Sequence, residues 1–182
     1  MAKLARVAAL LCGTALTVTG ATAADVTYER LLNPEPHNWL MNHHDYAAQR
    51  YSSLDAINKS NVKTLVPKWA FSVTDNRGSE TFPLVKDGMI YVNSHDSTVA
   101  VDAMTGKQIW RVEHEYPPET LRVVCCGIVN RGAAIYNGKI IRALMDNHII
   151  ALDAKTGKVL WDTKVQDYKK GQYMTLMLLV VD

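Results

Sequence analysis

Two neighbouring cysteines, Cys125 and Cys126, stand in the stretch VVCCGIVNRGAAIYNGK, and the remaining cysteine, Cys12, lies in an apolar leader. Adjacent cysteines are too close for an ordinary structural bridge. Joined to each other, they close a strained eight-membered ring around the intervening peptide. So short a loop restricts the unfolded chain very little. Its value would be local: a rigid, flat, sulfur-bearing surface. The alternative is a pair of reduced thiols with one side chain turned inward. The leader favours the oxidised form, because disulfides persist in exported proteins.

That leader occupies residues 1–24. Lys3 and Arg6 give a positive start, Val7 to Val18 is an almost unbroken apolar run, and Ala21-Thr22-Ala23 offers a small-residue cleavage site. This is the order of a secretory signal peptide, and the apolar run is too short for a comfortable membrane span. Leu11 before Cys12 is a poor fit to a lipoprotein signal. Export to the periplasm is the expectation, with no transmembrane segment after the leader.

Charge excludes one class of partner. The chain has 20 basic and 18 acidic residues, and Lys3 and Arg6 belong to the leader, so the remainder is balanced. No basic tract is left to follow a phosphate backbone, which argues against nucleic acid. His43, His44 and Asp45 look at first like a metal cluster. On an extended segment, however, adjacent histidines point opposite ways, and no metal site is assigned to them.

The elements around the cysteines repeat. VAVDAMTGKQIW at 99–110 matches IALDAKTGKVLW at 150–161, pairing Asp102 with Asp153, Gly106 with Gly157 and Trp110 with Trp161. Upstream, DGMIYV at 87–92 matches NGKIIR at 137–142. Asp-Gly and Asn-Gly favour tight hairpins because both residues tolerate positive φ. Each unit reads as four short antiparallel strands, the signature of a propeller blade. The expected strands are Thr81–Val85, Met89–Asn93, Val99–Asp102 and Gln108–Val112, then Gly132–Tyr136, Lys139–Ala143, Ile149–Leu152 and Val159–Thr163. Lys68–Val73 is one further expected strand, Tyr173–Val181 is expected to open another unit, and Ile57–Val62 a short helical turn. Trp110 and Trp161 are expected to tie each unit to the next.

The fold class is thus all-β, a partial β-propeller of about two four-stranded blades. Its divisions are the signal peptide (1–24), a polar lead-in (25–66) and an incomplete propeller domain (67–182). A propeller closes with more blades than this, and the closing apolar row MLLVVD would leave an unpaired edge. Two explanations fit, an amino-terminal piece of a longer protein or assembly with other chains, and the first is the expectation.

The combination NWLMNHHDYAAQRYSSLDAIN, Trp69, SETFPLVKDGMIYV, the paired D-A-x-T-G-K motifs, CCGIVNRG and QYMTLMLLVV covers most of the chain beyond the leader. It resembles the amino-terminal part of the methanol and ethanol dehydrogenases that depend on pyrroloquinoline quinone (PQQ), periplasmic quinoproteins with an eight-bladed propeller. The resemblance implies oxidation of a primary alcohol to an aldehyde, with electrons passing to a cytochrome c. It implies PQQ as cofactor, with calcium or a lanthanide in the full-length parent. Carried over, Glu80 contacts the quinone and Cys125 and Cys126 form a vicinal disulfide lying against one face of the planar cofactor. Arg131 stands at the cofactor edge, and Thr175 offers a hydroxyl contact.

The family's metal ligands, its catalytic aspartate and the tryptophan over the other PQQ face come from later blades. No catalytic or metal residue is therefore carried onto this chain, and the isolated chain is expected to be inactive. Leu178 stands where the family has a proline, and Gly127 where a small acidic residue often follows the cysteines. The alternative reading is a non-enzymatic propeller scaffold for protein assembly; the cysteine pair together with Arg131 favours the dehydrogenase.

Overall fold

The structure, a computed structural model, describes residues 25–73, 79–124 and 127–181. The leader and both neighbouring cysteines lie outside the described residues. Two antiparallel sheets form the body. The first contains β1 (Leu84–Lys86), β2 (Met89–Asn93), β3 (Ser97–Asp102) and β4 (Gln108–Glu113), in that order. The second repeats it with β5 (Ala134–Tyr136), β6 (Lys139–Ala143), β7 (His148–Asp153) and β8 (Val159–Lys164). Two four-stranded blades are what the repeat predicted.

Local chemistry accounts for the hairpins. Asp87 and Gly88 adopt φ of 50° and 81°, and Asn137 and Gly138 adopt 46° and 72°. Positive φ at both central residues is the twist-matched hairpin turn. At the other hairpin, Asp102 Oδ1 accepts from the Thr105 N–H and hydroxyl, each at 2.7 Å, and Asp153 repeats this with Thr156 at 2.8 Å. The ladders even share an irregularity, a register shift between Ala100 and Val101 and again between Ala151 and Leu152. β1 begins after Pro83, later than expected. Proline has no N–H for a ladder, and the Phe82 N–H goes to the Arg131 carbonyl at 3.2 Å.

Tryptophan joins the blades. Trp110 Nε1 donates to the Ala154 carbonyl at 3.1 Å, and its ring lies on Gly157, where a Cβ would sit 2.8 Å from Cδ2. Trp69 does the same one unit earlier, donating to the Ala103 carbonyl at 3.1 Å and lying on Gly106. Trp161 holds the same register, opposite Ala151 as Trp110 is opposite Ala100. Trp161 is 39% exposed against 7% for Trp110, and β8 is exposed throughout. The tie expected of Trp110 is present; that of Trp161 is not made among the described residues.

Three expected elements differ. Residues 68–73 carry no assigned strand. A strand needs a ladder, and the preceding residues form the lead-in rather than further strands. The segment docks instead through the Trp69 contacts and through Arg111 Nη2, which donates to the Val73 carbonyl at 2.9 Å. Residues 173–181 also form no strand; Met177 and Val180 pack against the core that contains Leu31, Leu40, Met41 and Ile135. The helical turn falls at Val62–Thr64 rather than 57–62. Asn61 Oδ1 accepts the Asn58 N–H at 2.8 Å and Asn58 Oδ1 the Ser60 N–H at 3.0 Å, bonds that compete with helix.

The lead-in is fastened to the first hairpin. α1 (Tyr28–Leu32) is capped by Thr27, whose hydroxyl accepts the Arg30 N–H. Arg30 then reaches Glu35 at 2.8 Å and Asp87 at 2.6 Å. Trp39 bridges Val85 on the free edge of β1, and Val26, Leu31 and Leu40 join Leu84, Ile135 and Ile140 in the core. Among the described residues, no helix is long and apolar enough to cross a membrane.

Candidate functional site

The Asp-Gly, Asn-Gly and Thr-Gly turns lie at one end of the two sheets. At the other end lie the starts of β1 and β5, the β2–β3 and β6–β7 turns and the exits of β4 and β8. Three of the residues singled out from the sequence meet there. Arg131 Nη2 lies 2.8 Å from Glu80 Oε2, and Nη1 donates to Thr175 Oγ1 at 2.8 Å and to the Thr175 carbonyl at 3.3 Å. The backbone joins the same three segments. The Arg131 N–H donates to the Thr175 carbonyl at 3.2 Å, and the Arg131 carbonyl accepts the Phe82 N–H. Phe82 and Gly132 form a parallel bridge. Glu80 and Arg131 thus stand just before β1 and β5, the first strands of the two blades, and Thr175 follows β8.

The cluster faces solvent. The Arg131 and Glu80 side chains are 45% and 53% exposed, so their ion pair contributes at most about 1 kcal/mol. A weak pair of this kind is easily reorganised by an arriving ligand. The guanidinium carries five N–H donors in a plane, suited to carboxylates and carbonyl oxygens. Thr175 accepts from Arg131, which leaves its own hydroxyl hydrogen for another acceptor.

The segment between β4 and β5, which bears the two cysteines, is tied to both blades. His114 Nε2 lies 2.9 Å from Asp146 Oδ2 in the second blade. Burial pushes the Asp146 carboxyl up, but the His114 contact outweighs it and holds the group below the usual range. The Tyr116 hydroxyl donates to the His95 carbonyl of the first blade at 2.7 Å, and burial pushes its pKa up to about 12. Beyond lies α2 (Thr120–Val123), where Glu119 accepts from Tyr168 and Lys169, each at 3.1 Å. The floor expected of Cys125 and Cys126 falls outside the described residues, so their pairing and orientation are not described.

One residue the sequence reading passed over supports this arrangement. Arg142, on β6, is 1% exposed. Its guanidinium donates to Thr98 Oγ1 at 2.8 Å, the Ser94 carbonyl at 3.0 Å and the His95 carbonyl at 2.9 Å. It thereby grips the β2–β3 turn that Tyr116 also uses, and burial pushes its pKa down. A signal existed: aligning NGKIIR with DGMIYV puts Arg142 where the first repeat has Val92.

His43 and His44 lie in a lead-in turn. His43 Nδ1 accepts from Arg50 Nε at 2.8 Å, and His44 packs on Trp39 with ring centroids 4.8 Å apart. Among the described residues, no three His, Cys, Asp or Glu side chains converge as a metal site would require.

Comparison with known proteins agrees with this architecture. Residues 39–162 match the family described as glucose/ethanol/alcohol dehydrogenase, beta-propeller domain (PQQ). The chain is 42% identical over 157 residues to the dehydrogenase subunit of a quinone-linked alcohol dehydrogenase from Komagataeibacter europaeus, covering 85% of this chain and 21% of that protein. It is 38% identical over 175 residues to methanol dehydrogenase [cytochrome c] subunit 1 of Paracoccus denitrificans, covering 91% and 27%. Among solved structures, a europium-containing methanol dehydrogenase superposes with a TM-score of 0.79 at 39% identity, over 85% of this chain and 28% of that one. The chain thus spans only about a quarter of the length of these relatives. Blade architecture, repeat and sequence agree: the chain belongs to the PQQ family of glucose, ethanol and alcohol dehydrogenase β-propeller domains.

Proposed function

We propose that this chain supplies one wall of a PQQ site in a periplasmic alcohol dehydrogenase that oxidises primary alcohols such as methanol or ethanol to aldehydes. The observation that carries the reading is the convergence of Glu80, Arg131 and Thr175 from segments before β1, before β5 and after β8, with Arg131 held at 2.8 Å from each partner. PQQ supplies a two-electron acceptor when bound. The donor set fits a flat group with several carboxylates: the Arg131 fork can meet carboxylate or carbonyl oxygen, and the Thr175 hydroxyl retains a hydrogen to donate. Glu80 alone would repel such an anion. Paired with Arg131 it orients the guanidinium and leaves the cluster near neutral.

Cys125 and Cys126, joined as a vicinal disulfide, would give the floor of this wall. The segment carrying them is anchored on both sides, through His114 and Tyr116 before it and Arg131 after it. The leader directs the chain to the compartment where such a bond persists. Calcium or a lanthanide, the base that takes the alcohol proton and the docking of a cytochrome c acceptor belong to other segments of the whole protein.

Equilibrium dialysis of the chain lacking residues 1–24 against PQQ tests the wall. Binding should be measurable and should weaken about tenfold in Arg131→Met, the loss of one charge-assisted contact. An unchanged affinity would remove Arg131 from the site and overturn the reading. Alcohol-dependent dye reduction belongs to the whole protein, and the chain by itself should give none with PQQ and calcium added.

A further inference from the structure

Arg131 is long, half exposed and flanked by Gly132, a poor setting for a side chain that must present its charge at one place. The residue before it has the opposite character. Asn130 is 3% exposed, and both ends of its amide are engaged. Its Oδ1 accepts the Gly132 N–H at 2.9 Å, closing a turn around Arg131, and its Nδ2 donates to the Ala143 carbonyl at 2.9 Å, at the end of β6. Asparagine suits such a turn because its short amide can serve donor and acceptor sites of the backbone together.

Gly132 completes the clamp. It adopts φ of 125°, and a Cβ there would stand 3.0 Å from the Phe82 carbonyl oxygen and 3.2 Å from Met177 Sδ. Between these points the Arg131 peptide groups bond to Thr175 and Phe82. The backbone is therefore fixed before, at and after Arg131, while the half-exposed guanidinium is held by the surface carboxylate of Glu80 and by the hydroxyl and carbonyl of Thr175.

We infer that Asn130 is a positioning residue for Arg131: its buried amide fixes the turn from which the guanidinium is presented and ties that turn to β6. The inference rests on the PQQ-wall reading above and adds to it the element that sets the wall's geometry. Asn130 itself need not touch the ligand. It lowers the cost of organising Arg131 on binding, the usual benefit of preorganisation.

A double-mutant cycle tests it. PQQ is the probe, binding to the chain lacking residues 1–24 is followed by equilibrium dialysis, and unfolding midpoints are recorded alongside. Asn130→Ala should weaken PQQ binding about threefold to tenfold, the range expected on losing two buried hydrogen bonds behind a contact. Added to Arg131→Met it should cost nothing further, because residues acting through one group are not additive. Gly157→Ala, at the far end of the blades, serves as a comparison with similar loss of stability and should bind PQQ like the parent chain. Asn130→Ser keeps an acceptor for the Gly132 N–H, and it replaces Asn130→Ala in the cycle if that variant fails to fold. Additive effects of positions 130 and 131 would overturn the inference, as would equal weakening by Gly157→Ala. If Arg131→Met leaves affinity unchanged, the PQQ-wall reading fails first and the inference with it.

Discussion

Replacing Gly157 by alanine should measure how strongly the two blades are joined. Gly157 has φ of 74°, and a Cβ there would stand 2.8 Å from Trp110 Cδ2, 2.9 Å from Cε3 and 3.1 Å from Val112 Cγ2. Two costs arise. The left-handed backbone disfavours any side chain by about 1–2 kcal/mol. The clash must also displace the ring of a residue that is 7% exposed and hydrogen-bonded to the Ala154 carbonyl, and overpacking of this kind costs about 1–3 kcal/mol. The expected total is about 2–5 kcal/mol. Gly88→Ala isolates the first cost, since Gly88 has φ of 81° and nothing within 4 Å of a Cβ. Urea unfolding followed by tryptophan emission should therefore place Gly157→Ala below Gly88→Ala by about 1–3 kcal/mol, a clear shift of midpoint for a domain of this size. A red shift of native-state emission should accompany it as Trp110 is pushed outward. Equal destabilisation by the two substitutions would refute the claim that the Trp110–Gly157 seat joins the blades.

Other outcomes follow from the same geometry. Burial pushes the Glu35 and Asp87 carboxyls up, but hydrogen bonds from Arg30, with Asn38 on Glu35 and Lys86 on Asp87, outweigh it and hold both at about 2. Depressed carboxylates stabilise the fold above their unfolded pKa. Thermal midpoints should therefore fall as pH drops from about 4 towards 2, and Asp87→Asn should flatten that slope. Trp110→Ala should cost about 3–5 kcal/mol in denaturant titrations and Trp161→Ala well under half of that, because only the first ring is buried. Arg142→Ala should cost about 3–5 kcal/mol by depriving three acceptors of the β2–β3 region of their charged donor and removing the packed side chain, whereas Arg142→Met should recover part of the loss through packing. In chain recovered from the periplasm, neither Cys125 nor Cys126 should alkylate under denaturing, non-reducing conditions; two reactive thiols would remove the proposed disulfide floor.

Much of the fold was legible because blade turns are local chemistry. Asp-Gly, Asn-Gly and Asp-Ala-x-Thr-Gly-Lys specify their own φ values and side-chain bonds within a few residues, and the repeat then shows that the turns belong to equivalent units. Strands whose pairing depends on a distant partner were less legible. Residues 68–73 have the alternation of a strand, with Trp69 and Phe71 on one side, yet Trp69 docks onto Gly106 and Ala103 without a ladder being assigned. The convergence of Glu80, Arg131 and Thr175 has no periodic signature. Their identities came from family resemblance, while their meeting depends on backbone bonds from Arg131 to Phe82 and Thr175. Arg142 was visible as a charge in a position that its sister repeat fills with Val92, and a buried charge in a strand calls for acceptors on a neighbouring blade.

The same dependence on partners explains the contrast between Trp110 and Trp161. Both sit opposite an alanine at equivalent register, so the sequence makes them identical. Burial does not follow from register alone. Trp110 faces a glycine that leaves room for its ring and a carbonyl that takes its N–H, whereas Trp161 remains 39% exposed on a strand exposed from end to end. An amphipathic indole gains most when both needs are met at once. A Thr-Gly turn placed against β8 would supply both, making Trp161 the point at which a further unit of this repeat could be recognised.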